Sequence, residues 1–169
     1  DTEQLPTKYR RRFVRIATGS VLLAVSVASS AFAQLAVSAN DNKIVLVNGV
    51  PTIVANPRAD TVTIIDLGVK PPRVLHELNV PSSVVGPPLS VAITPDESLV
   101  LVTAAMRIDP GDPTRQIPDN KLSVIDMRAN PPVVVAELDA GLGAAGVSIN
   151  REGTLALVAN RSEGSVSVF

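Results

Sequence analysis

The feature that most restricts this chain is that it repeats itself. TVTIID at 61–66 recurs as KLSVID at 121–126 and again, shortened, as SVSVF at 165–169. PPRVLHEL at 71–78 matches PPVVVAEL at 131–138, and SVAITPDESLVLV at 90–102 matches GVSINREGTLALV at 146–158. VANPRADTV at 54–62 matches VANRSEGSV at 158–166 without a gap. Val62 and Leu122 are 60 positions apart, and Leu122 and Val166 are 44 apart. Most of the excess lies in one stretch, AMRIDPGDPTRQIPDN at 105–120.

Without that stretch the unit is about 40–45 residues, the size of a four-stranded propeller blade. Period-2 alternation and β-branched content place the strands within each unit. Residues 91–94 and 147–150 are predicted first strands, and 99–103 and 155–159 second strands. Residues 61–67 and 121–127 are third strands, and 73–78 and 133–138 fourth strands, each entered through a Pro-Pro pair that ends the strand before it. An earlier hairpin, KIVLVNGVPTIVA, turns at Asn48-Gly49, a strong two-residue turn signal. It supplies the opening strands of the first unit in this reading. The expected fold class is all-β, a propeller of four-stranded antiparallel blades. About two and three-quarter blades are present, as a fragment of a larger ring of about seven. The rival is a short chain that builds its ring from copies of itself.

LALVANRSEGSVSVF at 155–169 carries the pattern apolar-x-apolar-x-Asn, a polar turn, then alternating Ser and Val. This resembles the YVTN-type β-propeller repeat, and SVAITPDES at 90–98 is similar to its inner-strand turn. The resemblance covers roughly residues 43–169; the second unit departs from it, with Val102-Thr103-Ala104 lacking the Asn. It implies blade architecture. It also implies kinship with lactonase-like and quinoprotein dehydrogenase-like propellers, whose sites draw on several blades around the axis.

The first 33 residues read as an export signal. Lys8, Arg10, Arg11, Arg12 and Arg15 form a basic head, an uncharged stretch follows to Phe32, and Ala31-Phe32-Ala33 precedes an expected cut at Gln34. Arg10-Arg11 with Phe13-Val14 resembles a twin-arginine signal, and the general secretory route is the alternative. A membrane anchor fits less well, because Thr18, Ser20, Ser26, Ser29 and Ser30 make the stretch too polar for a good span. The expected location is periplasmic or secreted, with no stable membrane span after cleavage. Residues 34–169 are then the partial propeller, with the insertion at 105–120.

The charge balance narrows the partners. The first 33 residues hold five Lys/Arg against two Asp/Glu, and the remainder ten against fourteen. The mildly acidic remainder offers no footprint for nucleic acid. The absence of cysteine excludes disulfides, thiolate metal sites and cysteine nucleophiles. Aromatic residues make up 2% of the chain, so stacking platforms for bases or sugars are lacking.

No catalytic constellation stands out. His76, the single histidine, aligns with Ala136 of the next unit and is expected on an outer strand. Glu77 and Glu137 match, as solvated cross-strand charges. Asp66 and Asp126 match too, and each is expected to accept backbone N–H groups in the turn that follows. Asn56 and Asn160 are expected at left-handed turn positions. The 105–120 insertion is the best candidate for ligand contact. It is read as a long loop holding Arg107, Asp109, Asp112, Arg115, Asp119 and Asn120 among Pro110, Pro113 and Pro118. In a propeller it would rise on the same face as the longer connection at 79–90. A calcium loop from Asp109, Asp112 and Asp119 has the wrong spacing, and GLGAAG at 141–146 lacks a Lys and a following helix.

The functional expectation is an exported propeller scaffold that binds a protein or small-molecule ligand and uses no metal or cofactor. Remaining blades or further copies are its structural partners. The alternative is a lactonase-like hydrolase or quinoprotein-like oxidoreductase whose site lies in blades beyond this chain; fold analogy is its warrant. Residues 34–169 alone are expected to fold poorly.

Overall fold

In the computed structural model, which describes residues 34–83 and 89–169, every regular element is a β-strand. The proposed signal at 1–33 lies outside the described residues. In chain order the strands are β1 (Leu35–Asn40), β2 (Ile44–Val47), β3 (Val50–Ile53), β4 (Thr61–Asp66), β5 (Arg73–Asn79) and β6 (Val91–Ile93). Then come β7 (Leu99–Asp109), β8 (Asp112–Asp126), β9 (Val133–Asp139), β10 (Ala144–Ile149), β11 (Ala156–Asn160) and β12 (Ser165–Val168). The expected all-β antiparallel class holds. The strands form three sheets, ordered β1-β4-β5, β6-β7-β8-β9 and β10-β11-β12, and a separate β2-β3 hairpin; none is closed.

The first sheet differs from the sequence reading. Its strand beside β4 is β1, with Ala39 opposite Val62 and Asn40 opposite Thr61. In the third sheet Ala159 lies opposite Val166 and Asn160 opposite Ser165 in the same way. The counterpart of LALVAN at 155–160 is therefore LAVSAN at 35–40, not the stretch ending at Asn56. Val54-Ala55-Asn56 imitates Val158-Ala159-Asn160 in letters, but it follows a hairpin inserted between the sheet's first and second strands in chain order. Asn56 does sit at a left-handed position, with φ 52°, as expected. Asn160 does not: it ends a regular strand and is buried.

The 105–120 stretch is likewise a ladder rather than a loop. β7 and β8 continue past the sheet with Arg107 opposite Ile117 and Ile108 opposite Gln116. The prolines expected to break it are absorbed at irregular points. Pro118 follows the register shift after Ala104, and Pro113 adjoins the shift at the tip. Both hairpins thus extend from matching places, between Asn40 and Thr61 in one sheet and between Ala104 and Lys121 in the next.

Two apolar layers hold the sheets together. Val62, Val80, Val100, Val102 and Ile125 form one cluster, joining the first sheet to the second. Leu101, Leu122, Ala144, Val147, Ala156 and Val158 form the other, joining the second to the third. The central strands β7 and β8 contribute to both, and the LVLV run that opens β7 is apolar on both faces instead of alternating. Each fully buried Val, Leu or Ile contributes about 1.5–3 kcal/mol. A backbone bond also ties the third sheet to the segment entering β6: the Val147 N–H donates to the Leu89 carbonyl at 2.9 Å.

The outer strands β5 and β9 carry bulges at the same place. Ile64 and Ile65 oppose His76 and Val74, and Val124 and Ile125 oppose Ala136 and Val134. Leu75 and Val135 are the extra residues, and such bulges blunt an edge against pairing. Lys70-Pro71 and Asn130-Pro131, the peptide bonds entering these strands, are both cis.

Candidate functional site

The two inserted hairpins meet across a cleft of about 650 Å³. One wall is Pro51, Thr52, Ile53, Val54, Ala55, Asn56 and Pro57; the other is Ile108, Pro113 and Thr114. This volume is within the usual range for ligand sites, about 300–1,000 Å³. The lining carries no charged side chain.

The charged residues singled out in the insertion pair within their own hairpin and do not line this cleft. The Arg115 guanidinium donates to Asp109, and Arg107 lies 4.0 Å from Asp119. The Gly111 N–H, and then Arg115, hold the Asp109 carboxyl below its ordinary range. The hydroxyl and N–H of Thr114 do the same to Asp112. Asp119 accepts the Asn120 N–H at 2.9 Å. These contacts fasten the tip at Pro110-Gly111. Arg107, Arg115 and Asp112 all lie within electrostatic reach of Asp109.

The β2-β3 hairpin is anchored by a buried charge cluster. Lys43, 7% exposed, lies 3.1 Å from Asp41 and 2.7 Å from Asp60 and also donates to the Ser82 carbonyl. Asp60 in turn accepts N–H groups from Asn42 at 2.9 Å and Ser82 at 3.2 Å. A paired and hydrogen-bonded arrangement is what a buried charge requires. The cluster ties the root of the hairpin to the chain segment that leaves β5.

The remaining candidates resolve into separate structural places. Asp66 accepts the Gly68 N–H and Asp126 the Arg128 N–H, at 2.8 and 2.9 Å, as expected for turn carboxylates. His76 lies opposite Ile64 and Glu77 opposite Thr63 on the outer strand β5. Glu77 joins Asn42, Arg58 and Asn79 around a smaller polar pocket. In the Gly141–Gly146 segment, the Gly143 N–H donates to the Asp119 carbonyl at 2.7 Å, and its carbonyl accepts the Arg161 N–H. Among the described residues, no group of three or more His, Cys, Asp or Glu is placed to hold a metal ion. Among them, too, no helix is long and apolar enough to cross a membrane.

The cleft wall at 51–57 had a signal in the sequence that charge-seeking overlooks. Residues 44–57 form an uncharged run, mostly aliphatic, with Pro51 at its middle and Pro57 at its end. Comparison with protein-family models, curated proteins and solved structures finds no match to this chain.

Proposed function

We propose that this chain is part of an exported propeller-type scaffold that binds an uncharged, extended ligand in the cleft between its two inserted hairpins. The observation carrying the reading is that both insertions leave matching positions of successive sheets and meet across one apolar cleft. A rigid sheet stack that presents elaborated connections on one side is how binding sites are commonly built. The repeat of sheet register, outer-strand bulges and Asn40/Asn160 positions supports treating the three sheets as successive blades. Binding is favoured over catalysis because the titratable groups near the cleft are tied to one another within the hairpin. The basic head and apolar stretch of the first 33 residues support export to the periplasm or medium.

The test is an NMR screen of the isotope-labelled chain against a mixed library of short uncharged peptides and apolar small molecules. Shift changes clustered on 51–57 and 108–114 are expected. Binding that maps elsewhere, or no binding in the library, overturns the cleft as the site.

A further inference from the structure

The β2-β3 hairpin has two free edges, and they are not alike. The Val54 N–H donates to the Lys43 carbonyl at 2.9 Å, which fixes the phase of the ladder. Antiparallel strands alternate between bonded and non-bonded pairs. Val45 and Val47 therefore turn their backbone groups inward to Thr52 and Val50. Ile44 and Leu46 turn theirs outward, away from Ile53 and Pro51. On the β3 side the outward residue nearest the turn is Pro51, which has no N–H to give. On the β2 side Ile44 and Leu46 both offer an N–H and a carbonyl, and neither has a partner among the described residues.

The side chains on this edge are apolar on both faces. Val45, Leu46 and Val47 are 48%, 72% and 50% exposed. An open edge with this composition invites another strand. The occupant must be extended, to meet alternate N–H and carbonyl groups, and uncharged, since nothing in 44–57 would pair a buried charge.

We infer that the edge of β2 pairs antiparallel with β2 of a second copy of this chain. The strand Ile44–Val47 is itself extended, uncharged and exposed, so the edge is complementary to itself. A twofold axis beside Val45 would set Ile44 opposite Leu46 of the second copy and close four backbone hydrogen bonds. Val45 would face its own equivalent in a non-bonded pair, with Cα atoms about 4.5 Å apart. A twofold self-complementary contact closes at two copies, and Pro51 blunts the far edge of each hairpin. Four residues per strand bury far less than the about 800 Å² per partner of a standard interface, so the dimer is weak. It stands apart from whatever the cleft binds, because the cleft lies against β3.

The chain has no cysteine, which makes a cross-linking test clean. Val45→Cys would place two thiols within the about 4.4–6.8 Å Cα range that a disulfide spans. Under mild oxidation of the full native chain, Val45→Cys is expected to give a covalent dimer, and Val50→Cys, on β3 and more exposed, little. Adding Leu46→Pro removes one outward N–H while leaving the hairpin's own ladder intact. It should reduce cross-linking of Val45→Cys to the Val50→Cys level. Equal cross-linking of the two single variants, or none in either, overturns the proposal. So does shielding of Cys-substituted position 45 by phosphatidylcholine vesicles in place of cross-linking, which would assign the edge to lipid.

Discussion

Asn40 and Asn160 occupy the same place in two different sheets, and their amide nitrogens donate matching pairs of bonds. The Asn160 amide nitrogen donates to the Ser165 and Ser167 hydroxyls at 2.9 Å each, and that of Asn40 to Thr61 and Thr63 at 3.1 and 2.9 Å. The middle sheet has Ala104 there, opposite Lys121. Its Ser123, the counterpart of Thr63 and Ser167, keeps a buried hydroxyl without a hydrogen-bond partner among the described residues.

Equivalent substitutions should therefore have opposite signs. Ser123→Ala removes an unsatisfied buried hydroxyl and is expected to raise stability by about 1 kcal/mol. Ser167→Ala removes the acceptor of both the Asn160 amide and the Gly141 N–H. It is expected to lower stability by about 1–3 kcal/mol. Urea unfolding of the two variants decides; a loss in Ser123→Ala as large as that in Ser167→Ala contradicts the assignment.

Lys43→Met would leave Asp41 and Asp60 without the ammonium that lies between them. Removing one partner of a buried charge group costs about 3–5 kcal/mol. Urea unfolding of the variant against the parent checks the size; a loss below about 1 kcal/mol, the level of an exposed pair, would contradict the buried pairing.

Gly143 should tolerate no side chain. It sits at φ 74°, and an added Cβ would lie 2.5 Å from the Ser162 backbone nitrogen. Gly49, at φ 81°, has open space around it. Gly49→Ala is expected to cost only the backbone preference, about 1 kcal/mol. Gly143→Ala should cost clearly more, and equal effects in thermal melts would refute the crowding.

Asp96 gives a pH signature. The Thr94 hydroxyl, then the hydroxyl and N–H of Ser98, lower its carboxyl from 3.8 to about 2. A depressed folded value means that its contribution is complete above the unfolded value and fades as the pH falls toward the folded one. The melting-temperature gap between the parent chain and Asp96→Asn should therefore be constant at neutral pH and change between about pH 4 and about pH 2. A gap constant throughout would contradict the assigned cause.

Much of the sheet structure was legible because β-branched alternation and repeat spacing are local signals. Strands β4, β5, β9 and β11 fall within a residue or two of where period and composition place them. The two misread elements, the stretch ending at Asn56 and the 105–120 insertion, share a cause. Asn56 and Asn160 stand in matching tripeptides, and letters do not show that one follows an inserted hairpin while the other ends a sheet strand. Pro113 and Pro118 argue for a loop, yet tertiary register shifts accommodate both inside β8. The charged side chains of the insertion drew attention through their density, whereas their mutual pairing and the uncharged cleft beside them depend on strands meeting in space.

The central structural claim is that β1, not the hairpin ending at Asn56, completes the first sheet. A pair of double-cysteine variants in this cysteine-free chain tests it most directly. Ala39→Cys with Val62→Cys joins residues opposite each other across β1 and β4. Ala55→Cys with Val62→Cys joins those that would be opposite if Asn56 were the counterpart of Asn160. Under native oxidation the first pair is predicted to form an intramolecular disulfide and the second to remain reduced. A disulfide in the second pair, with the first left as free thiols, would contradict the sheet order and the paired hairpins built on it.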